Sequence, residues 1–185
     1  MKRRELVLAL LAAGSGVGAK TALPAEVSKN LPGARLIGSG RLTYFGLNVY
    51  DARLWASGEF KATDYAAAPL ALELEYARAL DGEKIAERSL EEMKRSGPLT
   101  DDQAQRWLAT MKRTFPDVAE GDRITGVQLA GGVTRFFVNG KPSGELRDAE
   151  FTRRFFGIWL SPKTSEPKLR LALLGPQAGA SRSPP

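Results

Sequence analysis

The sequence predicts an α+β fold: a large antiparallel β-sheet with helices packed on one face. Three observations carry this expectation. The stretch "PLALELEYARAL" from Pro69 alternates apolar and polar residues at the two-residue period of a half-buried strand. After Arg123 the strand-rich segments "RITGVQLA", "VTRFFVN" and "KPSGEL" are separated by Gly131-Gly132 and Asn139-Gly140, the turn pairs of β-hairpins. Two segments of helical period lie between these strand regions and two more follow them, an order unlike the strict alternation of a parallel βαβ sheet.

Taken in order, residues 20–34, "KTALPAEVSKNLPGA", contain two prolines and a glycine without periodicity and read as an extended lead-in. The fold begins near Arg35. "RLIGSGRLTYF" and "LNVYDARLWA" are rich in Leu, Val, Tyr and Trp and predict a hairpin, or two strands with a kink, with Gly38, Gly40 and Gly46 as bulge or turn positions. The strand from Pro69 places Leu70, Leu72, Leu74 and Tyr76 on one face and Glu73 and Glu75 on the other. The period then changes. Asp81 is positioned to cap a helix burying Ile85, Ala86, Ser89, Leu90 and Met93, and Thr100 with Asp101 and Asp102 opens a second that buries Ala104, Trp107, Leu108 and Met111. After the three-stranded meander, a helix from Asp148 carries Phe151, Phe155, Ile158 and Trp159 on one stripe, and another runs from Ser165 or Glu166 through Leu173. The tail 175–185, "GPQAGASRSPP", has too little apolar content to pack and is expected to be disordered.

At 185 residues and 43% hydrophobic content, the chain suits one domain, 35–174, with a substantial core. Its first 19 residues read as an export signal: Lys2, Arg3 and Arg4, then the short apolar "LVLALLAAGSGVGA", then Val17-Gly18-Ala19 as a cleavage site. "RRELVL" also fits a twin-arginine signal, while a cytosolic protein with an amphipathic first helix is the competing reading. Cleavage after Ala19 would leave a periplasmic or secreted chain with no transmembrane segment and 24 basic against 20 acidic residues, a net charge of +4. Without a run of Lys and Arg interleaved with aromatics, nucleic acid is not an expected partner. The chain has no cysteine and no histidine, which excludes a disulfide framework and nucleophilic triads of the Ser-His or Cys-His kind and argues against zinc, copper or haem. No cofactor or metal is expected.

Functional signals concentrate in "GLNVYDARLW", residues 46–55, where Tyr50, Asp51 and Arg53 interrupt an otherwise apolar strand. Strict alternation sets Asn48, Tyr50, Ala52 and Leu54 on one face and Val49, Asp51, Arg53 and Trp55 on the other. A buried phenol must be hydrogen-bonded or cost about 1 to 3 kcal/mol, so such a strand suits a face shared between core and cavity. Arg41, on the preceding strand, could reach the same cavity, and a guanidinium beside a phenol makes a receptor for a carboxylate or phenolate. Equally, Asp51 and Arg53 could form a solvent-side ion pair while Arg41 lies along the sheet edge with no ligand. The Phe136-Phe137 pair and the aromatic cluster around Phe155 read as core, and Glu91-Glu92 as a solvated helix face.

The segments "GRLTYFGLNVYDARLW", "ALDGEKIAERSLEEM", "FPDVAEGDRITG", "RFFVNGKPSGEL" and "FFGIWLSPKTSEPKLRLALL", in this order, make the chain similar to the bacterial chalcone isomerase-like proteins over about residues 35–174. The resemblance implies the chalcone isomerase-like fold, with a ligand cleft between sheet and helices that in plants serves either chalcone cyclisation or fatty-acid binding. It implies that the family's cleft arginine corresponds to Arg41, with Arg35 a weaker match. Tyr50 falls where the isomerases carry a threonine and the fatty-acid binders a tyrosine. The positions of a catalytic tyrosine and asparagine hold Ile85 and Glu92. Loss of both donors removes stabilisation of a developing enolate, so the resemblance favours a non-catalytic binder of a small apolar carboxylate such as a fatty acid. Arg41, Tyr50, Thr43 and Asn48 are its expected head-group contacts. An isomerase or lyase acting on a chalcone-like substrate and a cell-envelope interaction role are the alternatives.

Overall fold

A computed structural model describes residues 22–175. The proposed signal at 1–19 and all but the first residue of the proposed disordered tail at 175–185 lie outside the described residues. Among the described residues six strands form one sheet in sequence order, each antiparallel to its neighbour: β1 (Arg35–Tyr44), β2 (Leu47–Ala56), β3 (Leu70–Tyr76), β4 (Arg123–Leu129), β5 (Val133–Val138) and β6 (Lys141–Arg147). Among the described residues five α-helices accompany them: α1 (Ala25–Asn30), α2 (Gly82–Lys94), α3 (Asp101–Thr114), α4 (Ala149–Leu160) and α5 (Pro167–Leu174). The sequence-predicted α+β class and the order of hairpin, strand, two helices, meander and two helices are what the chain adopts.

Local chemistry accounts for the boundaries. The Asp81 carboxylate accepts from the Lys84 amide, Thr100 and Gln103 exchange the reciprocal bonds of a capping box, and Asp148 accepts from the Glu150 and Phe151 amides. Helix α5 starts instead with Pro167, whose missing N–H removes one of the unsatisfied donors of a helix start, and Glu166 makes no side-chain cap there. Phe45 and Gly46 take φ values of 47° and 76° at the β1–β2 turn, the left-handed geometry that tight hairpins require.

The main core lies between the sheet and α2–α5. Leu54, Leu72, Leu74, Ile124 and Phe136 from the strands pack there with Met93, Met111, Phe155, Phe156 and Leu173 from the helices. Gly38 and Gly40 on β1 let α5 come close: a Cβ at Gly38 would collide with the carbonyl oxygens of Ala172 and Leu173.

Two expectations are corrected here. Residues 25–30 are helical rather than extended, because Pro24 precedes the helix instead of breaking one and a six-residue helix is too short to show a period. This α1 packs on the opposite face of the sheet from α2–α5. Val27 and Leu31 cover Trp55, Ala71, Val127 and Phe137, so the sheet is not covered on one side alone.

Candidate functional site

The α2–α5 side of the sheet opens into a cleft of about 460 Å³ between the β1–β2 hairpin, α2, the end of α4 and the start of α5, within the size range of small-molecule sites. Its wall is apolar, formed by Leu42, Leu74, Ile85, Phe115, Ile124 and Phe155 among others. Tyr50 and Tyr76, adjacent in register on β2 and β3, meet edge to face with ring centroids 6.0 Å apart. The Trp159 indole N–H donates to the Tyr50 hydroxyl at 2.9 Å. Burial pushes the Tyr50 phenol well above its ordinary pKa, overriding the opposing effect of that bond, and raises Tyr76 likewise. Both hydroxyls therefore stay protonated at neutral pH and can donate to a ligand, Tyr50 while already accepting from Trp159.

Helix α2 contributes a stripe at helical spacing, with Asp81, Lys84, Ile85, Arg88, Ser89 and Glu92 all lining the cleft. Glu92 is not the solvated residue its sequence context suggests. Its side chain is 10% exposed and pairs with Arg88, with Arg95 at 3.7 Å, whereas Glu91 faces solvent and pairs with Lys94. Ile85 and Glu92, the positions where isomerases of this resemblance carry tyrosine and asparagine, both line the cleft, and neither supplies a hydroxyl or amide donor. Arg78 and Lys84 line the same cleft and form no ion pair among the described residues.

The predicted contacts divide. Tyr50 lies in the cleft; Arg41, Thr43 and Asn48 do not line it. Arg41 sits directly opposite Asp51 in the β1–β2 ladder and makes a two-pronged ion pair with it at 2.6 and 2.7 Å, on the sheet face away from the cleft. Arg41 is 52% exposed there and holds the Asp51 carboxyl below its ordinary range. The solvent-side alternative is thus the observed one with its partners exchanged: Asp51 pairs with Arg41, and Arg53 with Glu73 and Glu75. Arg35 donates to the Gly58 carbonyl and is exposed. The Thr43 hydroxyl donates to Asn48 Oδ1 at 3.5 Å, also exposed.

A register shift explains why Asn48 parts from Tyr50. Leu42 faces Tyr50 but Thr43 faces Asn48, so Val49 is an extra residue in β2. Such a bulge breaks strict alternation; Val49 and Tyr50 both line the cleft while Asn48 does not. Sequence reasoning missed Tyr76, Trp159, Arg78, Lys84 and Arg88 as cleft residues. The α2 stripe was legible at its three- and four-residue spacing, but nothing local marks which face of an amphipathic helix borders a cavity.

Among the described residues no helix is long and apolar enough to cross a membrane, and no three His, Cys, Asp or Glu residues form a metal-holding group. The family profile described as chalcone isomerase-like matches residues 17–175. A curated protein of Haemophilus influenzae, described as uncharacterized, is 30% identical over 140 residues, covering 75% of this chain and 67% of that one. The crystal structure of an Arabidopsis thaliana fatty-acid binding protein superposes with a TM-score of 0.62 at 15% identity, over 80% of this chain and 89% of that one. That likeness is one of fold.

Proposed function

The chain belongs to the chalcone isomerase-like family, and from that premise we propose that it binds a small apolar molecule of the fatty-acid class in the cleft without transforming it. One observation carries the reading: an apolar cleft of about 460 Å³ whose polar lining includes the half-buried, protonated Tyr50 and the cations Arg78 and Lys84, which form no ion pair among the described residues. The hydrocarbon lies against the aliphatic and phenyl wall, where each buried methylene contributes about 0.8 kcal/mol. The carboxylate meets the cations Arg78 and Lys84 in place of Arg41. The fatty-acid binding activity of the Arabidopsis protein of this fold supports the reading. With Ile85 and Glu92 in the cleft, the donors that the isomerase resemblance calls for are missing, which disfavours cyclisation.

The test is to denature the purified protein and identify any released lipid by mass spectrometry, then to titrate the lipid-stripped protein with oleate and with methyl oleate. Oleate should bind more tightly than its ester, and no binding of either defeats the proposal. The basic and then apolar leader at residues 1–19 supports export to the periplasm or beyond. A mature protein beginning at Lys20 and recovered outside the cytoplasm is the expected result.

A further inference from the structure

The β1–β2 hairpin ends in a tip unlike an ordinary solvated turn. Tyr44, Phe45 and Leu47 are 59%, 87% and 54% exposed, three large apolar side chains within four residues. Tight turns ordinarily place Asn, Asp or Gly at left-handed positions, yet here the residue at φ 47° is Phe45. The fold thus holds an aromatic ring in solvent in a backbone conformation that disfavours it. The Tyr44 and Phe45 rings touch edge to face, with centroids 4.5 Å apart.

The tip is continuous with the cleft, since Tyr44, Phe45 and Leu47 also line it. Arg78 lies at the same end of the sheet: the Ala77 amide donates to the Val49 carbonyl, and Arg78 follows. Arg78 and Lys84 are exposed and form no ion pair among the described residues. Of the carboxylates lining this cleft, Asp81 is occupied in capping α2 and Glu92 is paired with Arg88, while Glu166, at the start of α5 and on the Tyr50 side, forms no ion pair among the described residues.

We propose that the hairpin tip is a membrane-docking element that inserts Phe45, Tyr44 and Leu47 into the surface of an anionic bilayer and turns the cleft mouth toward the lipid. Aromatic and aliphatic side chains flanked by cations are the composition of an interfacial anchor. A protruding two-residue turn is too small to supply the roughly 1,200 Å² that a stable protein interface buries, whereas a bilayer accepts a narrow apolar wedge. The role of docking in ligand exchange rests on the cleft-binding reading; docking itself requires no ligand.

The experiment uses vesicles of phosphatidylcholine alone and of phosphatidylcholine mixed with phosphatidylglycerol. The protein from Lys20 onward, without the basic and apolar leader, should co-sediment with the mixed vesicles and much less with the neutral ones, and added salt should release it. Phe45→Ser should lower the bound fraction on the order of tenfold, and Lys84→Glu should weaken binding to the mixed vesicles selectively. Phe45→Trp provides a second readout: Trp55, Trp107 and Trp159 are all buried, so a blue shift on vesicle addition and quenching by brominated lipid report the tip. Failure of the wild type to associate, or equal association by Phe45→Ser, overturns docking. A concentration-dependent dimer that Phe45→Ser abolishes would give the tip to a second copy and likewise overturn it. A protein that binds oleate in solution but ignores vesicles keeps the cleft reading and loses this one; a protein that docks yet binds no oleate does the reverse.

Discussion

The Trp159 indole N–H donates to the Tyr50 hydroxyl across 2.9 Å, tying the fourth helix to the second strand at the wall of the cleft. Trp159 is nearly buried, so Tyr50→Phe strands its N–H without an acceptor. The expected loss is about 1 to 3 kcal/mol of folding stability, read as a lower urea midpoint.

The same phenol makes stability depend on alkaline pH. Burial raises the folded-state pKa of Tyr50, and of Tyr76 beside it, above the ordinary value of 10.0. Their protonated forms are therefore favoured by folding. That contribution is whole below the unfolded pKa and is lost as pH rises through 10 toward the folded values. Urea midpoints should fall between about pH 9 and about pH 11, and the double substitution Tyr50→Phe with Tyr76→Phe should flatten that decline.

Arg41→Ala should leave oleate affinity and the urea midpoint nearly unchanged, because its ion pair with Asp51 is exposed and on the far face of the sheet. Lys84→Ala and Arg78→Ala should instead weaken oleate more than methyl oleate. A large affinity loss in Arg41→Ala alone would contradict the placement of the head group. Displacement of a fluorescent fatty acid measures all three.

Glu73 is buried although it alternates onto the polar face of β3, because Arg53 and Arg123 reach it at 3.1 and 3.0 Å and the Trp55 N–H at 3.0 Å. Glu73→Ala removes one carboxylate from two guanidiniums and an indole. Arg53 keeps Glu75 and Arg123 keeps Glu26, so the expected cost is about 1 to 3 kcal/mol, chiefly for the buried Trp55 N–H left without an acceptor, and thermal unfolding would show it. A change under about 1 kcal/mol would mean that this cluster contributes no more than an exposed pair.

Gly38→Ala drives a Cβ into the carbonyls of Ala172 and Leu173 on α5. Since those atoms are backbone, the helix must move, and the loss should be about 1 to 3 kcal/mol, the range of overpacked cores. Hydrogen exchange should quicken in α5 more than in β4 or β5.

Much of this fold was legible in the linear chain because its signals are local. Alternation from Leu70 to Tyr76, the caps at Asp81, Thr100 and Asp148, and the glycine turns at 131–132 and 139–140 each act through neighbours a few residues away. Helix α1 escaped because Pro24 and Gly33 read as breakers while the apolar partners of Val27 lie on β2, β3, β4 and β5. The site was half legible. Tyr50 stood out as a phenol in an apolar strand, but Arg41, as unusual in its own strand, proved to be the partner of Asp51.

By itself the sequence determined the α+β class, the number and order of the strands from Arg35 onward, the capped helices, and the lack of any thiol or imidazole. Tertiary structure decided which side chains face the cleft. The extra residue Val49 moves Asn48 off the Tyr50 side, and α1 covers the second face through Val27 and Leu31. The α2 stripe receives its meaning only when the hairpin and α4 close over it. The physical reason is that side-chain direction in a strand inverts with each residue, so a single bulge reassigns faces that no local pattern records.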